Sequence, residues 1–269
     1  MIARPPVALT IAGTDSGGGA GVAADLKTFE AHGVWGTCAV VAVTAQNTLG
    51  VQAFEALSPG LVRAQVDSVA SDIGVDAAKT GMLASAELVR AVAEAVRANR
   101  LGPLVVDPVL VSKHGDALLA DDAVDALRSN LLPLATVVTP NLPEAARLVG
   151  FEVGDRGAME AAGRALVDLG AAVALVKGGH LGGASSPDCL VAAGEPRPTW
   201  LDGDRIPGRH THGTGCVLSA ALCAELARGM DPPDACVAAR HFCRRAIAAG
   251  VGLGAGVGPV NPGWERAGG

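Results

Sequence analysis

Short apolar runs, each halted by a polar residue or a glycine, recur along the chain with helix-length segments between them. Val7–Ala12 stops at Gly13, Leu104–Val106 at Asp107, Thr136–Val138 at Thr139 and Val173–Val176 at Lys177. Strands that are apolar throughout are buried on both faces, whereas a sheet wetted on one side alternates. The intervening segments carry helix signals. Ser58-Pro59 opens one as cap and first residue, and Leu88, Val89, Val92 and Val96 keep helical spacing behind a Ser85 cap. Strands alternating with helices imply an α/β fold in three layers, helices on both faces of a mostly parallel central sheet. No Pro/Ser-rich linker, composition shift or repeat divides the 269 residues, so 1–269 reads as a single domain.

The same reading predicts a helix from the Gly17–Gly21 loop to about His32, a second buried strand over Thr37–Ala45 and an edge strand over Val51–Leu57. A short strand follows over Asp76–Lys79. Helices are predicted over Asp121–Leu132, from Pro143-Glu144, and over Met159–Leu169. Strand fragments at Cys189–Ala192 and Thr199–Ile206 precede two final helices.

Composition removes several function classes. Aromatic residues make up 3%, tyrosine is absent and the net charge is −6, so neither a stacking platform nor a basic field for nucleic acid is present. The apolar runs break well before the roughly 18 residues of a membrane span. Met1-Ile2-Ala3-Arg4-Pro5-Pro6 lacks the apolar region of a signal peptide. Six cysteines form no C-x-x-C pair, and apart from Cys216 they read as buried free thiols in a reducing, cytoplasmic setting.

In parallel sheets ligands bind beyond the carboxyl ends of the strands. There the sequence places Gly13, Gln46, Thr80-Gly81-Met82, Asp107, Thr139–Asn141 and Lys177. The stretch His210-Thr211-His212-Gly213-Thr214-Gly215-Cys216 runs without a break into an apolar helix. Amides of its first turn and the positive dipole end converge on one spot, an arrangement suited to phosphate, and Cys216 at the helix start is expected to have a lowered thiol pKa. Gly19-Ala20-Gly21-Val22-Ala23-Ala24 matches a dinucleotide-binding variant, but the acidic ribose partner is missing at Gln46, which disfavours a dehydrogenase. No P-loop pattern occurs. The first glycine loop is therefore expected to close over a small substrate, with Asp25 and Gln46 reading polar edges. Asp25 equally suits a charge in a helix's first turns. His210 and His212 read as solvated loop residues, because no fourth zinc ligand accompanies them and Cys216.

Several blocks together carry a family resemblance. Ala12–Gly21, Ala24–Thr28, Thr44–Thr48, Lys79–Leu83, Val106–Val109, Thr139–Ala145, Lys177–His180, His212–Cys216 and Gly258–Asn261 resemble, in order, the bacterial hydroxymethylpyrimidine/phosphomethylpyrimidine kinases of thiamin biosynthesis. The resemblance implies a ribokinase-like fold and MgATP-dependent phosphorylation of 4-amino-5-hydroxymethyl-2-methylpyrimidine, then of its monophosphate. By motif, Gln46 and Asp25 would hold the aminopyrimidine, with Gly13, Met82 and Val109 lining the pocket. Gly213, Thr214, Gly215 and Cys216 would hold the transferred phosphoryl group, and Lys177 would add a point charge on the ATP phosphates. Asp107 with Asn141-x-x-Glu144 suits Mg²⁺ held by Asp107 and Glu144, partly through water; Glu144 also suits a carboxylate at a helix start. Cys216 stands where related sugar kinases carry an aspartate base. The competing readings are a pyridoxine or pyridoxal kinase of the same fold and a non-catalytic pyrimidine-binding protein. Relatives are often homodimers, so a homodimer is implied. The segment Gly254–Gly258 lacks a histidine often found in relatives.

Overall fold

The computed structural model describes residues 4–110 and 121–265. Residues 1–3, part of the start read as lacking a leader, lie outside the described residues. Ten strands and eight α-helices follow in order: β1 Val7–Ala12, α1 Gly21–Ala31, β2 Trp35–Val40, β3 Ala42–Asn47, β4 Gly50–Ala56, α2 Pro59–Asp72, β5 Ala77–Thr80, α3 Ala86–Ala98 and β6 Leu104–Val106. After them come α4 Asp121–Ala126, β7 Val137–Val138, α5 Leu142–Val149, α6 Arg156–Asp168, β8 Val173–Lys177, β9 Asp188–Ala192, β10 Thr199–Leu201, α7 Thr214–Ala227 and α8 Pro232–Ala248. Eight strands form the main sheet in the order β10-β9-β8-β7-β6-β5-β1-β2. Its pairings are parallel except that β9 runs against both of its neighbours.

The period of two along each strand sorts side chains between the two helical layers. Leu104 and Val106 pack in one cluster with residues of α2 to α6, and Val105 packs in the other with Phe29 of α1 and residues of α7 and α8. Helix α7 is buried from Val217 to Leu226, since it lies between the sheet and the outer helices α1 and α8. That explains why it is apolar all round rather than amphipathic.

Two expected elements change. The apolar run Thr37–Ala45 does not stay in one sheet. Val41 donates to Ala12 O at 3.0 Å, then Thr14 donates to Ala42 O, and the chain leaves the main sheet. β3 pairs instead with β4 as a separate antiparallel ribbon, so the Val51–Leu57 edge strand belongs to this ribbon and runs Gly50–Ala56. The helix expected over Asp121–Leu132 stays α-helical only to Ala126, then opens into a π-turn over Leu127–Leu131 and a 3₁₀ turn over Leu132–Leu134. Pro133, with no N–H to donate, closes that helical stretch.

One charged side chain sits inside the junction of β1, β5 and α1. Lys79 is fully buried, with Nζ 3.1 Å from both carboxylate oxygens of Asp25. Thr10 Oγ1 donates to the same carboxylate at 2.6 Å. Burial opposes the Lys79 charge, but the Asp25 and Asp107 carboxylates offset it and hold the amine above its ordinary pKa. Lys79→Met would leave Asp25 buried without its counter-charge, and denaturant titration is expected to show a loss of about 3–5 kcal/mol. Asp25→Leu combined with Lys79→Met should recover most of that loss.

Candidate active site

A cleft of about 660 Å³ opens along the carboxyl ends of the parallel strands. One end holds the turn into α7. Gly213 takes φ +79°, and a Cβ there would run into the Gly19 carbonyl oxygen, so the position requires glycine twice over. The Gly215 and Cys216 amides follow in the first turn, where a helix has no acceptor of its own. Thr214 donates its hydroxyl to Thr211 O at 2.8 Å. A Cβ on Gly215 would lie 3.5 Å from Lys177 Nζ and 3.6 Å from an Asp107 oxygen, so the bare face of that residue looks onto both.

Those two charges continue a row. Lys177 Nζ, at the end of β8, stands 3.2 Å from Asp107 Oδ1 and 4.0 Å from Glu144 Oε2. Asp107, following β6, also accepts from Thr139 Oγ1 at 3.2 Å and from Ser219 Oγ at 3.3 Å. Burial works against the Lys177 charge, yet Asp107 and Glu144 hold its amine above the ordinary value. Glu144 is pushed up to about 7 by burial, with Lys177 pulling the other way. Its Oε2 accepts from Asn141 N at 2.8 Å while Asn141 Oδ1 accepts from Glu144 N, so Glu144 caps α5 as well as facing the cleft. Both roles foreseen for this carboxylate are thus compatible. The donors offered here are hard carboxylate oxygens, which fit Mg²⁺ when phosphate oxygens and water complete its shell.

Beside the turn into α7 lies a recess walled by Gly13, Thr44, Gln46, Phe54, Met82 and Val109. Gln46 follows a register shift in β3, and its backbone is fixed at both ends by Ser16 Oγ, which accepts from Gln46 N and donates to Gln46 O. The side chain of Met82 touches the bare Cα of Gly13, where a Cβ would come within 2.6 Å of its methyl.

Of the residues given a substrate, phosphate or metal role by sequence, all but Asp25 line this one cleft, while Thr80, Thr139 and Pro140, also placed at the strand ends, are not on its wall. Asp25 is fully buried beneath it and is occupied by Thr10 and Lys79, so its carboxylate is not on the wall. Cys216 departs from expectation in another way. Its thiol is pushed up to about 12, because burial outweighs Lys79 and the Gly21 amide that donates to Sγ at 3.4 Å. The helix start does not produce a thiolate here. His210 and His212 are not solvated loop residues either: Nδ1 of His210 accepts from Gly258 N at 3.1 Å, and His212 binds Asp15 at 2.8 Å. Sequence reasoning passed over Asp15, Lys79 and His212 as site residues. Asp15 carried a signal in its position two residues before Gly17, the spacing of an Asx turn.

The cleft thus brings a row of paired charges and free helix-start amides beside a largely apolar recess that carries one amide side chain, features that suit a small-molecule kinase. The chain belongs to the phosphomethylpyrimidine kinase family, whose model matches residues 15–261. It is 52% identical over 260 residues to a hydroxymethylpyrimidine/phosphomethylpyrimidine kinase of Streptomyces coelicolor, covering 97% of this chain and 95% of that one. Among solved structures it resembles an ADP complex of Bacillus subtilis pyridoxal kinase, with TM-score 0.91, 37% identity and coverage of 97% and 99%. It also resembles a phosphomethylpyrimidine kinase of Clostridium difficile, with TM-score 0.79, 38% identity and coverage of 90% and 99%. The mostly parallel, ribokinase-like architecture is therefore the one expected.

Gly213→Ala should displace the α7 turn from the Gly19 carbonyl, and steady-state kinetics are expected to show kcat/KM reduced by about 100-fold or more, the cost of roughly 1 Å of misplacement. Acid stability provides a second check. Burial tends to raise Asp15, but His212 and the Gly17 and Gly19 amides hold it below its ordinary 3.8. Its contribution is complete above that value and is lost as pH falls through the lower folded pKa. Asp15→Asn should therefore flatten the fall of the denaturation midpoint at pH below about 4.

Proposed function

We propose that this chain transfers the γ-phosphoryl group of MgATP to the hydroxymethyl oxygen of 4-amino-5-hydroxymethyl-2-methylpyrimidine, and then transfers a second to the resulting monophosphate. The observation that carries the reading is that Gln46 and the Gly213–Cys216 turn line one cleft side by side, in a chain of this family. A glutamine amide both donates and accepts, which matches the amino group and adjacent ring nitrogen of the pyrimidine. Gly13, Met82 and Val109 enclose the ring.

In each step an oxygen of the acceptor bonds to the γ-phosphorus as the bond to the ADP oxygen breaks. Charge spreads over the three equatorial oxygens, and the Gly215 and Cys216 amides lie where it can be met without reorganisation. Lys177 screens the phosphates between attacking and leaving groups. Asp107 and Glu144 are the residues that would hold Mg²⁺, which supplies charge neutralisation on the phosphate oxygens when bound. Cys216 contributes its amide, since a thiol near 12 takes no proton at neutral pH. The acceptor proton passes to a phosphoryl oxygen or to water, as a loose transition state permits. The reading takes residues 1–269 as one kinase domain, acting in the cytoplasm as a homodimer, on the strength of the resemblance. A pyridoxal kinase activity is the second reading, favoured by the TM-score of 0.91 to a pyridoxal kinase against 0.79 to a phosphomethylpyrimidine kinase.

Incubation with MgATP and the hydroxymethylpyrimidine should yield mono- and then diphosphate by product analysis, with pyridoxal turned over more slowly at equal concentration. Faster turnover of pyridoxal decides for the second reading. Cys216→Ala is expected to keep kcat within about threefold, as the loss of a base worth at least 10²-fold would not.

A further inference from the structure

The Asp15 carboxylate has a donor at every side. Its Oδ1 accepts from Gly17 N at 2.8 Å, and its Oδ2 accepts from Gly19 N at 3.1 Å, Ala20 N at 2.9 Å and His212 Nε2 at 2.8 Å. An ionised carboxylate only accepts, so the contact requires the hydrogen of His212 on Nε2. That same nitrogen lies 3.4 Å from Nε2 of the Gln46 amide. An NH₂ group turned toward it would set donor against donor. Amide oxygen and nitrogen are told apart by their partners, and exchanging the two ends, which sets Oε1 beside the N–H that Asp15 shares, removes the conflict and assigns the oxygen to the His212 side and the NH₂ to the other.

This choice gives the recess a direction. An aminopyrimidine edge presents an amino donor beside a ring-nitrogen acceptor, and a glutamine amide meets them as oxygen to amino and N–H to ring nitrogen. The amino group then lies on the His212 side. In the substrate of the functional reading above, the hydroxymethyl group is on the carbon next to the amino-bearing one, away from the paired ring nitrogen. It is therefore directed to the His212 side too, and His212 is joined directly to Gly213, the cap of α7. A reversed amide would turn the hydroxyl away from the phosphoryl site.

We propose that His212, locked by Asp15, is a positioning residue that orients the Gln46 amide and thereby decides which way the hydroxymethyl group of the bound pyrimidine points. The inference rests on the pyrimidine reading of the site. Its test is a double-mutant cycle of His212→Phe and Gln46→Ala, read by steady-state kinetics with the hydroxymethylpyrimidine and MgATP and by melting temperature. His212→Phe should raise the pyrimidine KM about tenfold, the scale of one hydrogen bond, and lower kcat. The KM for MgATP should stay within about twofold, and in the Gln46→Ala background His212→Phe should add less than about twofold, since a residue that acts through another couples to it. His212→Gln, whose amide reaches the Nε2 position, should restore the pyrimidine KM to within about threefold of wild type.

Effects that multiply in the double variant overturn the proposal. So does a KM for MgATP that rises in step with that for the pyrimidine, or a His212→Gln variant as poor as His212→Phe. Should His212→Phe not fold, His212→Gln is set against His212→Asn, whose shorter amide stops short of Asp15; equal KM values for that pair overturn the proposal as well. A wild-type protein that does not turn over the pyrimidine overturns the functional reading and this inference together, whereas turnover with multiplicative effects overturns this inference alone.

Discussion

Much of this molecule depends on a row of alternating charges beneath the cleft. Asp25 pairs with Lys79, the charge of Lys79 acts on Asp107, Asp107 pairs with Lys177, and Lys177 reaches Glu144. Most of these groups are almost completely removed from water. Taking one away strands its neighbours as unpaired charges, and that is far costlier than the net worth of any single pair. The strands β5, β6 and β8 each deliver one member at or just past their carboxyl ends, and α1 and α5 deliver the others. The sheet therefore sets the spacing of the charges, and the charges are in place before any phosphate arrives. Little reorganisation is left for the reaction.

Above this row the two glycine turns are locked to each other. The Gly19 carbonyl occupies the space a side chain at Gly213 would need. The Gly21 amide donates to Cys216 Sγ, and Asp15 holds His212. The recess around Gln46 and the turn into α7 are thus joined by direct contacts. Cys216 has a clear place in this arrangement as a small, neutral acceptor for the Gly21 amide. A larger or charged side chain would enter a space already enclosed by Lys79, Asp25 and Asp107.

The parts that were legible in the sequence share one physical trait: they are decided locally. A strand buried on both faces must be apolar along its length, so β1, β6, β7 and β8 could be found within a residue or two. Ser58 and Ser85 cap their helices through side-chain oxygens that the sequence shows directly. Residues that stop such strands must lie at the ligand-binding edge, which is why Asp107, Asn141, Lys177 and Met82 reach the cleft wall, whereas Gln46 reaches it from the β3–β4 ribbon. The break at Val41 was not legible, since Thr37–Ala45 is β-branched or apolar throughout and only the pairing of β3 with β4 decides where the chain leaves the sheet.

The sequence by itself determined the alternation of strand and helix, the parallel sheet, the glycine turn at Gly213 that opens α7 and the family. Tertiary structure alone decided the protonation and exposure of the groups that come together there. Cys216 stands at a helix N-terminus, which lowers a thiol pKa, yet enclosure by distant segments raises it. Asp25 faces inward to a lysine 54 residues away, and His212 acquires its role from a carboxylate 197 residues earlier. Propensity and capping act over a few residues and are written in the local sequence. Desolvation and charge pairing depend on what the whole fold brings within a few ångströms, and no stretch of sequence contains that.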